Sequence, residues 1–395
     1  MGSKASEAME EHDEAWWADR RAEALNARAA KGEVLRIPSA ADSRFDLRRF
    51  LASRPAYPPS VNVSISDECN LKCTMCPMYG EGYESLQGDK HHGTMSFENW
   101  KRLIDSVPDM SKTSIGPASW GEPLLNKRIF DMIGYALDKG ARTLAFNTNG
   151  TALTDRNVDR LLDLAERKGA DFYVQVSLDG FKESCESQRV GVDYDRVHAA
   201  LCRFIEENRK RGNPIRLSTD LSRVRQPREE CDRFIDYWCR KGLWQVVVQG
   251  STLQDKTGQG GTVWDRASLL HPELFPDDAP EKFGCEFLRN HLAVRSDLQA
   301  YAICCRDWFF SQKEDMGKVR IEEVWNSPHY REIVRRQFEN EPGTICHGCE
   351  YKFRELSKHR ERDIWFGKHL YRRVQTFYSD HYTMDPVRYR ETARD

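Results

Sequence analysis

SVNVSISDECNLKCTMCP, residues 60–77, brings two patterns together. Val61, Val63 and Ile65 alternate with polar residues, the period-two signature of a strand. Cys69, Cys73 and Cys76 follow at once in C-x3-C-x2-C spacing, so a single loop at the end of that strand delivers three thiols. A thiolate needs a strong partner such as iron or zinc to stay deprotonated near neutral pH. One reading is a zinc ion with His91 or His92 as fourth ligand, although the spacing is not the paired C-x2-C of a zinc ribbon. The other is a four-iron cluster, in which three protein thiolates leave one iron open for chemistry.

Bulk properties narrow the class. The 395 residues suit one large domain plus a smaller one. No uninterrupted apolar run approaches the roughly 18 residues that span a membrane, and MGSKASEAMEEHDEAWW at the start lacks a signal-like apolar core. The expectation is a cytoplasmic protein with no membrane partner. Sixty basic residues against 62 acidic ones leave a net charge of −2, which supports neither a nucleic-acid-binding nor a membrane-surface protein. Twelve cysteines are many for such a chain, and disulfides do not persist in a reducing compartment, so metal is the natural use for them.

Downstream of residue 77 the pattern alternates. A Gly-rich connection, YGEGYESLQGDKHHG, leads to SFENWKRLIDSV, where Ser96 can cap a helix whose Phe97, Trp100, Ile104 and Val107 share a face. Strands are expected near 113–119, 143–147, 172–178, 215–220 and 245–249. Helices are expected at 127–139, 155–168, 193–211 and 228–241. Six βα-type units between about residues 60 and 250 close into a parallel sheet with helices outside, a full or partial barrel whose chemistry sits at the C-terminal ends of the strands. The cysteine loop follows the first strand, in that position.

Several stretches now agree in one order. Trp120-Gly121-Glu122-Pro123 follows the second expected strand, Asn147-Thr148-Asn149-Gly150 the third, and Ser177-Leu178-Asp179-Gly180 the fourth. Together with C-x3-C-x2-C they resemble the radical S-adenosylmethionine (SAM) superfamily, with Trp120 in place of the first glycine of its GGEP motif. The resemblance implies an α/β fold built on a partial (β/α)6 barrel. It implies a [4Fe-4S] cluster on Cys69, Cys73 and Cys76 whose open iron chelates SAM, and SAM contacts from Met75, Gly121, Glu122, Asn149, Ser177, Asp179 and Arg189. Glu122 would accept from the SAM ammonium, Gly121 would let backbone approach the ligand, and Met75 would pack on adenine. Arg189 would pair with the SAM carboxylate or with substrate; a surface arginine is the plainer alternative.

The C-terminal third carries a second set, Cys285, Cys304, Cys305, Cys346 and Cys349. NHLAVRSDLQAYAIC reads as a β-hairpin and SPHYREIVRRQF as a helix started by Ser327 and Pro328. A zinc ribbon is the simplest use of such a set. With CCRDW and EVWNSP it resembles the small α+β SPASM/twitch extension of radical SAM enzymes, which implies one auxiliary [4Fe-4S] cluster on Cys285, Cys304, Cys346 and Cys349. Cys305 is then a spare thiol or an alternative ligand. Ser296-Asp297-Leu298 departs from that extension's usual Pro-Asp-Gly turn.

The expected organisation is a helical extension (1–59), the barrel (60–250), a linker or substrate-side insertion (251–284), the auxiliary-cluster unit (285–350) and a helical tail (351–395). That tail is locally basic, with Tyr371, Tyr378 and Tyr382 interspersed, and reads as a solvated helix rather than an RNA contact. The resemblance further implies a 5′-deoxyadenosyl radical acting on a small-molecule substrate of sugar or aminocyclitol type, and an electron donor such as flavodoxin or ferredoxin. Loops 79–92 and 250–282 would cover the site. Alcohol dehydrogenation through the auxiliary cluster is the favoured outcome. The alternatives are epimerisation with Cys185 or Cys305 as hydrogen donor, modification of a ribosomally made peptide, and a non-catalytic metal scaffold. Cys202, Cys231 and Cys239 fall within expected helices and read as core thiols.

Overall fold

Apolar alternation builds the first strand, β1 (Ser60–Val63), with Val61 and Val63 buried. The computed structural model describes residues 51–52, 54–76, 78–81, 93–118, 120–167, 170–223, 226–250, 286–302, 314–339, 360–366, 369–375 and 379–384. Within them the chain runs through β2 (Lys72–Cys73), α1 (Phe97–Asp105), β3 (Ser114–Gly116), α2 (Ile129–Asp138), β4 (Thr143–Thr148) and α3 (Asp155–Glu166). It continues with β5 (Asp171–Ser177), α4 (Lys182–Gln188), β6 (Arg189–Val190), α5 (Tyr194–Lys210), β7 (Ile215–Arg223), α6 (Arg228–Lys241) and β8 (Gln245–Gly250). β1, β3, β4, β5, β7 and β8 pair in that order and all in parallel, giving the six-stranded partial barrel.

Local chemistry sets the helix ends. The Ser96 hydroxyl accepts from the Asn99 N–H and starts α1, whose Trp100, Leu103 and Ile104 are buried. Trp100 donates its ring N–H to Met132 O at 2.7 Å, which satisfies the polar atom of a large buried side chain and ties α1 to α2. α6 stops at Gly242, whose φ of +105° is a left-handed conformation open to glycine at little cost.

The two faces of the barrel sheet differ in chemistry. Leu144, Phe146, Phe172, Val174, Val176, Leu217, Val246 and Val248 belong to the core beneath the helices. The alternate positions are polar: Asn147 stands opposite Gln175, Gln175 opposite Ser218, and Ser177 opposite Asp220. Asn147 is exposed although β4 is flanked by strands on both sides, so the inner face is open.

The C-terminal part extends this sheet at both edges. α7 (Glu286–Asn290) leads into β9 (His291–Val294) and β10 (Gln299–Ala302), the expected hairpin, followed by β11 (Glu314–Asp315), α8 (Ile321–Trp325) and α9 (Pro328–Glu339). β9 pairs in parallel with β1, so the hairpin is continuous with the barrel. Its turn places Leu298 at φ +66°, where glycine is usual. That conformation costs a non-glycine residue roughly 1–2 kcal/mol. The Leu298 side chain is buried, and burial of a leucine returns about 2 kcal/mol, which offsets the strain.

At the other edge the structure corrects the expected helical tail. β12 (Arg360–Phe366), β13 (His369–Gln375) and β14 (Ser379–Met384) form an antiparallel meander, and β14 pairs with β8. Tyr371 and Tyr382 are buried, with the Tyr371 hydroxyl donating to Asp236 on α6 at 2.7 Å. Short alternating segments of Arg, Tyr and aliphatic residues satisfied a helical reading locally, and an available strand edge decided otherwise. The segment 1–50, much of loop 79–92, the linker 251–285 and Cys285, Cys304, Cys305, Cys346 and Cys349 lie outside the described residues. No helix among the described residues is long and apolar enough to cross a membrane.

The meander covers the edge of QVVVQG in β8. Removal of residues 360–395 is expected to uncover that apolar edge and convert soluble protein into aggregate, read by size-exclusion chromatography.

Candidate functional site

The cysteine loop is clamped from three directions. β2 pairs antiparallel with β6, setting Cys73 opposite Arg189, and the Thr74 N–H donates to Gln188 O at 2.8 Å. Behind the loop, Gly121 adopts φ +76° so close to the Ser66 and Glu68 carbonyls that a Cβ would lie 2.2 and 2.6 Å from them. The close approach that requires this glycine is made by the loop's own backbone. From the C-terminal extension, the buried Ser296 donates its N–H at 3.3 Å and its hydroxyl to the buried carboxylate of Asp67, two residues before Cys69.

Glu122 ties the loop to the strand ends. Its carboxylate accepts from Leu124 N at 3.0 Å, Thr148 Oγ1 at 2.6 Å and Asn149 N at 2.7 Å, while its own N–H donates to Glu68 O at 2.8 Å. Burial pushes its pKa up, and the three donors pull the other way. The expected ammonium acceptor is thus already held by its own chain, with almost no exposed surface.

Asn149 faces the cluster loop. Its amide nitrogen lies 3.8 Å from Cys69 Sγ and donates to Asn70 Oδ1 at 2.9 Å, while its oxygen accepts from Thr151. Met75 is half-buried, as a side chain available for packing would be. Burial raises the thiol pKa of Cys69, and that of Cys73 to about 12. Both are neutral thiols until a metal displaces the proton.

Arg189 and Asp179 form a buried ion pair, with Nε 2.7 Å from Oδ2, so Arg189 is not a surface arginine. The short separation comes without hydrogen-bond alignment, and the interaction is mainly charge on charge. Arg189 Nη1 also lies 4.0 Å from Cys73 Sγ. Asp179, at φ +60°, accepts from the Ser222 N–H at 2.6 Å. Burial, with Asp220 nearby, pushes its pKa to about 6 despite the arginine. Ser177 is buried on β5 beside Asp220 on β7.

Asp220, Asp67, Gln226 and Glu230 were not among the expected site residues, and Thr148 was named only as part of its motif. Gln226 donates to Asp179 O and to Gln188 Oε1, both at 2.7 Å. Glu230 accepts from Phe181 N and Ser184 Oγ below the Ser-Leu-Asp-Gly turn. Asp220 is buried, Gln249 reaches one oxygen at 3.2 Å, and Oδ1 has no hydrogen-bond partner among the described residues. Its place at the C-terminal end of an inner strand was the available signal. Cys185 packs wholly within the core on α4, its thiol pushed to about 12 by burial, and has no exposed surface from which to meet a substrate.

Among the described residues no three His, Cys, Asp or Glu side chains converge on a single ion. Three thiols in one clamped loop, with nitrogen donors on two of the sulfurs, fit a four-iron cluster.

The radical SAM superfamily model matches residues 63–219, and the SPASM iron-sulfur cluster-binding domain matches residues 285–350. The chain thus carries a radical SAM domain followed by a SPASM domain. Fe-coproporphyrin III synthase of Methanosarcina barkeri is 33% identical over 230 residues, 55% of this chain and 54% of that protein. The dTDP-4-amino-4,6-dideoxy-D-glucose ammonia-lyase of Streptomyces venezuelae is 28% identical over 170 residues, 42% of this chain and 33% of that one. The chain thus spans about half or less of the length of these relatives. Streptococcus suis SuiB bound to precursor peptide SuiA superposes with a TM-score of 0.55 at 15% identity, covering 81% of this chain and 80% of that one, a likeness of fold.

Gly121→Ala combines a left-handed φ with overlap on two backbone oxygens. It is expected to bind less than about half the wild-type iron after anaerobic reconstitution and to melt several degrees lower, read by iron assay and thermal unfolding.

Proposed function

We propose that this protein oxidises a hydroxyl- or amine-bearing small molecule, of sugar or aminocyclitol type, by radical alcohol dehydrogenation. Cys69, Cys73 and Cys76 would hold the SAM-binding [4Fe-4S] cluster, and Cys285, Cys304, Cys346 and Cys349 an auxiliary one. When bound, these groups and SAM supply a 5′-deoxyadenosyl radical that takes a hydrogen atom from the substrate and an acceptor for the second electron.

The observation that carries the substrate class is Asp220. A buried carboxylate with an oxygen unmet among the described residues suits a ligand that donates, such as an ammonium or a pair of hydroxyls. Asn147, Gln175 and Ser177 line the same polar inner face and can read further hydroxyls. An amino sugar in the name of the Streptomyces relative agrees with this class. For the reaction type, the burial of Cys185, one of two candidate thiol donors, supports dehydrogenation over epimerisation. Electrons would come from a low-potential donor such as flavodoxin or ferredoxin.

Anaerobic reconstitution is expected to give about eight irons per chain, and SAM with reductant to release 5′-deoxyadenosine. Zinc in place of iron would end this reading. Among a panel of amino sugars and aminocyclitols, at least one should stimulate 5′-deoxyadenosine formation, and that stimulation should fall about tenfold or more in Asp220→Asn. The product formed in deuterated water should carry no solvent deuterium on the reacting carbon, whereas deuterium there would point to epimerisation.

A further inference from the structure

The sulfurs of Cys69 and Cys73 carry nitrogen donors that differ in kind. Cys69 Sγ accepts from the Leu71 N–H at 3.5 Å and lies 3.8 Å from the Asn149 amide, both neutral dipoles. Cys73 Sγ lies 4.0 Å from Arg189 Nη1, a full positive charge. Arg189 is fixed there by the β2–β6 pairing, which sets its backbone opposite Cys73, and by Asp179 at 2.7 Å on its Nε. Arg189 and Asp179 are both buried, so water screens their charges poorly.

Resting on the radical SAM reading, we infer that Arg189 sets the reduction potential of the cluster on Cys69, Cys73 and Cys76, acting through the Cys73 sulfur, with Asp179 as its counterweight. Reduction adds one electron from a low-potential reductant and breaks no bond, taking the [4Fe-4S] core from 2+ to 1+. A cation and an N–H donor at a ligating sulfur stabilise the added negative charge, and a nearby carboxylate opposes it. Arg189 is a positioning residue in this role, and its backbone also helps to hold the loop.

The test uses the full chain, reconstituted with iron and sulfide, and titrated with Ti(III) citrate in the absence of SAM while absorbance and electron paramagnetic resonance report the cluster. Arg189→Gln is expected to lower the reduced-to-oxidised ratio at fixed poise about tenfold, or about 59 mV for a one-electron couple. Asp179→Asn is expected to move the ratio the other way, and Arg189→Lys to recover most of the wild-type value. That pattern of opposite signs would not arise from a purely structural role. Because Arg189→Gln leaves Asp179 buried without its cation, the double variant Arg189→Gln/Asp179→Asn is measured beside it and is expected to remain below wild type. Ratios within twofold of wild type in iron-replete Arg189→Gln, or in the double variant where the single does not load, overturn the inference. Failure of both to load iron also overturns it, marking Arg189 as a support for Cys73 alone. A wild-type protein that takes up no iron-sulfur cluster sinks the radical SAM reading instead, before any potential is measured.

Discussion

One buried carboxylate holds the cysteine-loop end of the barrel together. Glu122 gathers Leu124 N, Thr148 Oγ1 and Asn149 N around its two oxygens and gives its own N–H to Glu68 O, so the cysteine loop and the ends of β3 and β4 share one anchor. A buried carboxylate is tolerable only with such donors, and replacing it by an apolar group would leave several of them unmet. Gly121 makes the arrangement sterically possible, because only a residue without Cβ fits against the Ser66 and Glu68 carbonyls.

A second anchor lies across the loop, where charge replaces neutral hydrogen bonding. Asp179, Arg189 and Asp220 bring three formal charges into a poorly hydrated region, one of them paired on one side and facing Cys73 on the other. Such an arrangement is expensive for stability alone, since apolar residues of similar size would often serve a fold as well. It lies between Cys73, 4.0 Å from Arg189 Nη1, and the polar inner face, where Asp220 stands opposite Ser177.

The C-terminal region makes the barrel and its extension one continuous sheet. β9 lies on β1, β14 lies on β8, and Ser296 reaches from the hairpin turn to Asp67 beside the cysteine loop. Neither edge of the barrel strands is left as an open template for another chain. The same contacts couple the region matched by the SPASM model to the radical SAM loop through hydrogen bonds rather than through a flexible tether.

Local signals in the sequence were sufficient for the barrel and for the cluster loop. Period-two alternation in Val61, Val63 and Ile65, the Ser96 cap and the Cys69, Cys73 and Cys76 spacing depend on neighbours within a few residues, and such features are written directly in the chain. The meander of β12, β13 and β14 was misread because its alternation is weak and its stability comes from the edge of β8, more than a hundred residues earlier. The partners of Glu122 and Arg189 were equally hidden: each residue type announced a charge, but only the fold decided that Glu122 would meet Glu68, Thr148 and Asn149 and that Arg189 would lie beside Asp179 and Cys73. Which residues carry charge or thiol is a property of the sequence; which of them meet, and whether water reaches them, is decided by packing between segments far apart along it.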